Sequence, residues 1–184
     1  DGGRTWISVG SNGSGLPDSS KMSYNKVMFD PADPRVIYLL GGADVVTTEL
    51  RHTGIAIESV NTIYRSTDGG KSWHNLNDGN FGDRSGPVKN LCFSTENPRI
   101  LYAGTANGIL MSADSGNTWK DAGGLLCHTN AAGLEMSVDG RTVYAPMLGG
   151  GVYCGEIAKG TGGVAWEGDS ALRVPVSHIQ VTVD

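Results

Sequence analysis

Lysine is scarce in this 184-residue chain, with six residues against 28 glycines, and cysteine occurs only three times. No apolar run approaches the roughly 18 residues of a membrane-crossing helix, so no membrane partner is expected. A net charge of −5 with no Lys/Arg cluster excludes a nucleic-acid module and a basic helix lying on a membrane surface. Cys92, Cys127 and Cys154 are odd in number and have no C-x-x-C spacing, which leaves neither a zinc nor a redox motif. Cys92 and Cys154 read as small strand residues, with a Cys127–Cys154 bridge as the alternative. His52 has no second His or Cys at ligand spacing, so no metal and no cofactor are expected. Asp1 opens the chain without a start Met or a leader, and the native terminus is expected to lie upstream. Alternating apolar stretches without a 3.6-residue period, broken by Gly, Pro and Asp, point to an all-β chain.

A repeat sets the architecture. Ser66-Thr67-Asp68-Gly69-Gly70-Lys71-Ser72-Trp73 returns as Ser112-Ala113-Asp114-Ser115-Gly116-Asn117-Thr118-Trp119. Asp1 to Trp6 is a truncated copy, and Trp166 closes a degenerate one. Trp73, Trp119 and Trp166 stand 46 and 47 residues apart, the length of a four-stranded propeller blade. The first two strands repeat in step: Lys26 to Tyr38 aligns without a gap on Asn90 to Tyr102, and Gly133 to Tyr144 aligns with one deletion. These spacings predict a β-propeller segment of four-stranded antiparallel blades, part of a larger propeller. Blades are expected over residues 24–76, 87–122 and 132–167, with 1–9 as the outer strand of a preceding blade and 176–184 as the first strand of a following one.

The S-x-D-x-G-x-[ST]-W motif resembles the Asp-box, or BNR repeat. Its Asp can accept from backbone N–H groups of its own turn, and its Trp packs between sheets. Ser66, Asp68, Gly70, Trp73, Ser112, Asp114, Gly116 and Trp119 are therefore expected to be structural. With D-P-x-D-P-x-x-x-Y and a long insertion ahead of the first full box, the chain is similar to the propellers of glycoside hydrolase family 74 and, more distantly, to sortilin-type receptors. The resemblance implies a secreted, extracellular or cell-surface protein that binds or cleaves a polysaccharide, with a xyloglucan-like β-glucan favoured. The alternative is a non-catalytic scaffold or receptor module for a protein or glycan. Family 74 enzymes carry a catalytic Asp in a T-D-x-G-G segment between the second and third strands. Leu40-Gly41-Gly42, Thr105 to Gly108 and Met147 to Gly150 lack it, so this segment alone is not expected to turn over substrate.

Propeller topology puts the second-to-third strand loops on the face opposite the Asp-boxes. Residues 42–61 form by far the longest of these loops, and long loops in compact domains tend to be functional. The ligand-face candidates are Asp44, Glu49, Arg51, His52 and Glu58 from that loop, with Phe81, Asp83, Arg84 and His128. The remaining blades, from the same or another chain, are the expected protein partners.

Overall fold

The computed structural model describes residues 2–6, 8, 13–17, 23–47, 56–76, 88–126 and 129–166, with backbone alone at 43–47, 56–61 and 125. Twelve strands and one 3-10 turn (Gly124–Leu126) occur among them, and no α-helix. The first sheet holds β1 (Ser23–Phe29), β2 (Ile37–Thr47), β3 (Ala56–Ser66) and β4 (His74–Asn75). The second holds β5 (Val88–Phe93), β6 (Leu101–Thr105), β7 (Gly108–Ser112) and β8 (Lys120–Asp121). The third holds β9 (Glu135–Met136), β10 (Thr142–Met147), β11 (Gly151–Ile157) and β12 (Val164–Trp166). Each sheet keeps chain order and is antiparallel throughout, the meander of a propeller blade.

Trp73 and Trp119 fall one residue before β4 and β8, whereas Trp166 lies within β12. One expectation needs correction. Residues 42–61 were expected to be a loop, whereas β2 and β3 continue as a paired arm as far as Thr47 opposite Ala56. The double glycine that reads as the start of a loop has another cause. A Cβ on Gly41 would sit 2.6 Å from Cδ1 of Tyr24, so the residue is small because a ring lies on it.

Successive sheets pack face to face, and β6 shows why. Its period-two alternation sends Leu101 and Ala103 toward the first sheet and Tyr102 toward the third. Tyr38, Leu40, Ile63 and Leu76 meet Val88, Leu91, Leu101 and Ala103 in one core. Tyr102, Ile109 and Met111 meet Leu134, Val143, Ala145 and Met147 in the next. Full burial of such side chains contributes roughly 1.5–3 kcal/mol each.

Hydrogen bonds between sheets repeat with the sequence. The Tyr38 hydroxyl donates to the Ser115 carbonyl at 3.1 Å, and the equivalent Tyr102 hydroxyl donates to the Gly162 carbonyl at 2.7 Å. Nearer the first strands, Lys26 Nζ donates to the Leu91 carbonyl at 3.3 Å, and the equivalent Asn90 Nδ2 donates to the Leu134 carbonyl at 3.3 Å. In these four bonds the donor lies on one sheet and the acceptor on the sheet that follows it in the chain.

Candidate functional site

The two Ser-x-Asp-x-Gly turns each hold a carboxylate with several hydrogen bonds from the turn itself. Asp68 Oδ1 accepts from the Lys71 and Ser72 amides at 2.9 Å each and from Ser66 Oγ at 2.8 Å, while Oδ2 accepts from Ser72 Oγ at 2.6 Å. Ser66 Oγ in turn accepts from the Gly70 amide at 2.8 Å, and Trp73 Nε1 closes the turn on the Gly70 carbonyl at 3.0 Å. Hydrogen bonds from the Ser72 hydroxyl and amide, then from Ser66, hold the Asp68 carboxyl well below the ordinary carboxylate range.

The second turn copies the first. Asp114 takes the Thr118 amide and hydroxyl at 2.8 and 2.6 Å and the Ser112 hydroxyl at 2.8 Å, while Gly116 donates to Ser112 Oγ and Trp119 to the Gly116 carbonyl. Burial pushes the Asp114 carboxyl up, and the Thr118 and Ser112 hydrogen bonds outweigh it, leaving the carboxyl below its usual value. A carboxylate this fully engaged in its own turn is a poor proton carrier. Trp166 departs from the pattern: its Nε1 reaches the Ala122 carbonyl of the second sheet at 2.6 Å.

These turns and the arm lie at opposite ends of the first sheet. Gly69 donates to the Arg35 carbonyl and Ser115 to the Arg99 carbonyl, which ties each third-to-fourth strand turn to the first-to-second strand turn of its own sheet. In β3, Ala56 at the arm end stands ten residue steps from Ser66, about 34 Å at the usual strand rise of ~3.4 Å. The neighbouring hairpin β6–β7 already closes at Thr105 opposite Gly108, whereas β2 runs six residues past Gly41, the position equivalent to Thr105. The arm therefore stands roughly 20 Å beyond the second sheet.

Two of the ligand-face candidates belong to this arm. Asp44 pairs with Ser59 and Glu58 with Val45 in its backbone ladder. Glu49, Arg51, His52, Phe81, Asp83, Arg84 and His128 lie outside the described residues.

A cavity of about 450 Å³ opens at the other end, between β1, β5 and β9. Lys26, Met28, Phe29, Cys92, Phe93 and Glu135 contribute to its wall. Its charges are already engaged or isolated: Lys26 Nζ is held by Asn90 Oδ1 and the Leu91 carbonyl, and Glu135 has no second carboxylate among the lining residues. Burial, then the Glu135 charge, pushes the Cys92 thiol up to about 12, which makes it a packing group rather than a nucleophile. No group of three His, Cys, Asp or Glu suited to a metal occurs among the described residues. Lys26 and Asn90 belong to no motif, and their shared repeat position is the one signal in the sequence for their common role of donating to the next sheet.

No protein-family model matches the chain. It is 30% identical over 112 residues to the xyloglucanase Xgh74A of Acetivibrio thermocellus, a match covering 57% of this chain and 12% of that protein. An ancestral GH74 enzyme of known structure superposes with a TM-score of 0.52 at 18% identity, over 79% of this chain and 20% of the other. The GH74 enzyme of Niastella koreensis gives 0.48 at 15% identity, over 78% and 30%. The fold is a GH74-like propeller segment. The chain spans about an eighth of the length of the curated relative it matches.

Proposed function

We propose that this chain is part of a polysaccharide-binding glycoside hydrolase propeller, with a xyloglucan-like β-glucan lying along the face that bears the β2–β3 arm. The observation that carries this reading is the arm itself. Elsewhere the second-to-third strand connections are short, and here a paired hairpin forms a wall about 20 Å tall at the end remote from the constrained turns. The partial identity to a xyloglucanase supplies the class of ligand. In this reading Asp44, Glu49, Arg51, His52 and Glu58 offer hydrogen-bonding groups to sugar hydroxyls. Phe81 offers a ring for the apolar face of a pyranose, and Asp83, Arg84 and His128 offer further polar groups. The two Ser-x-Asp-x-Gly turns are Asp-boxes with a structural role only. A polymer of this kind is met outside the cell, so the protein acts there.

An inverting glycosidase needs two carboxylates about 6.5–9.5 Å apart, and the engaged Asp68 and Asp114 do not provide them. Hydrolysis in this reading depends on acids beyond the described residues, and the present segment contributes cleft wall. Electrophoresis of the 184-residue chain through gels containing xyloglucan or, as a control, dextran tests the assignment. Xyloglucan should retard the chain. A variant joining Gly42 to Asn61 through an Asn-Gly turn should lose the retardation, and Asp68→Ala should keep it. Retardation that survives loss of the arm, or that disappears in folded Asp68→Ala protein, puts the ligand on the wrong face.

A further inference from the structure

The β2–β3 arm has two sides, and its ladder sorts the residues between them. Leu40 and Ile63, paired with each other, lie in the core shared with the second sheet, whereas the paired Leu39 and Tyr64 lie on the first sheet's other face. Pairing continues from there without a register shift to Thr47 opposite Ala56. Strand alternation therefore carries the two faces up into the arm. Gly42 with Asn61 and Asp44 with Ser59 fall on the side of the second sheet, while Ala43 with Val60 and Val45 with Glu58 fall on the other. The ribbon itself thus separates Asp44 from Glu58.

On the side of Asp44 the arm rises from a level floor. Hairpin β6–β7 closes through Ala106-Asn107 and hairpin β10–β11 through Leu148-Gly149-Gly150, both at one repeat position, since Thr105 and Met147 each stand three residues beyond the equivalent Tyr102 and Tyr144. The link between the two sheets ties these hairpins together. Its Ala131 amide donates to the Thr105 carbonyl, and its Asn130 carbonyl accepts from the Leu148 amide, both at 2.9 Å. At a sheet spacing of ~10 Å the floor reaches roughly 20 Å from the arm. Leu148, 71% exposed, stands on its far part. We propose that xyloglucan lies in the corner between this floor and the arm, running over the second and third sheets, with Asp44 and Ser59 on its side and Glu58 behind the ribbon. The proposal rests on the function proposed above and narrows it to one side of the arm. Polar residues at the base of the wall suit the hydroxyl edge of a glucan, and the open Leu148 suits an apolar sugar face.

Electrophoresis in xyloglucan gels tests this, with mobility in dextran gels as the reference for each variant. Ser59→Arg and Val60→Arg place the same long side chain at neighbouring positions on opposite sides of one ribbon. Ser59→Arg should obstruct the corner and raise the apparent Kd on the order of tenfold, as should Asp44→Ala by removing a charged hydrogen-bond acceptor. Val60→Arg should stay within about twofold of the parent chain. Leu148→Asp should also weaken retardation. Val138→Asp should not, because Val138 is fully exposed but lies in the β9–β10 turn, at the opposite end of the third sheet. Equal effects of Ser59→Arg and Val60→Arg, or a larger effect of Val60→Arg, overturn the side assigned to the glucan while leaving the arm as its binding element. Equal effects of Leu148→Asp and Val138→Asp overturn the floor. A parent chain that xyloglucan does not retard overturns the underlying reading and this proposal together.

Discussion

Asp114 and Gly116 stand two residues apart in one turn and answer to different physics. Asp114 satisfies a backbone amide and two hydroxyls, so Asp114→Ala leaves those donors to water and should cost about 1–2 kcal/mol. Gly116 has φ of 89°, and a Cβ there would lie 2.7 Å from Cδ1 of Leu76 in the first sheet. Gly116→Ala combines left-handed strain with a clash in the core, and should cost about 2–4 kcal/mol, more than Asp114→Ala. Urea unfolding of both variants ranks them. The lowered carboxyls of Asp68 and Asp114 also fix a pH dependence. Their folded values lie below the unfolded ones, so the unfolded chain binds protons first as the medium is acidified. The stability they contribute is fully present above the unfolded carboxyl value of about 4 and is lost as pH falls through the lower folded values. Thermal melts should thus be level from about pH 5 to 7 and drop below about pH 4, less steeply in an Asp68→Asn/Asp114→Asn double variant. At this scale the sequence was highly legible, because S-x-D-x-G states its own hydrogen bonds. Trp166 was misleading for the same reason: without Ser and Asp upstream its indole had no turn to close and bonds to Ala122 instead.

At the scale of elements, strand pairs came through clearly and their lengths did not. Asp-Pro and Asn-Pro turns mark where β1 gives way to β2 and β5 to β6, since Asp33 and Asn97 each cap the amide two residues on. The Asp33 carboxylate is also bidentate to Arg35, whose hydrogen bonds bring it down to about 2. By contrast the arm was hidden behind Gly41-Gly42, a pair that ordinarily signals a turn. Only the tertiary approach of Tyr24 explains Gly41, and no local pattern encodes it. Gly41→Ala should displace the Tyr24 ring from β2 and cost about 1–3 kcal/mol in chemical denaturation, with the loss relieved in part by Tyr24→Leu. The candidate site inherits the same limit. Asp44 and Glu58 were assigned to a loop but belong to a ladder, where one residue of register decides the face each occupies.

Among the described residues, three sheets stack with two buried interfaces and leave an apolar face at either end: Tyr144, Pro146 and Val152 on the third sheet, Val27 and Phe29 on the first. Leu16 covers part of the first sheet's outer face beside Tyr24, Tyr64 and Trp73. This much was readable from a 46-residue period, because a sheet that must be apolar on both faces can only be a layer in a stack. What the period does not convey is sense. The Tyr38, Tyr102, Lys26 and Asn90 bonds all run from an earlier sheet to a later one. A ribosome releases the donor of each pair before its acceptor exists. The first two blades therefore leave the exit tunnel as unfinished templates, each with its tyrosine waiting for a carbonyl still to be translated.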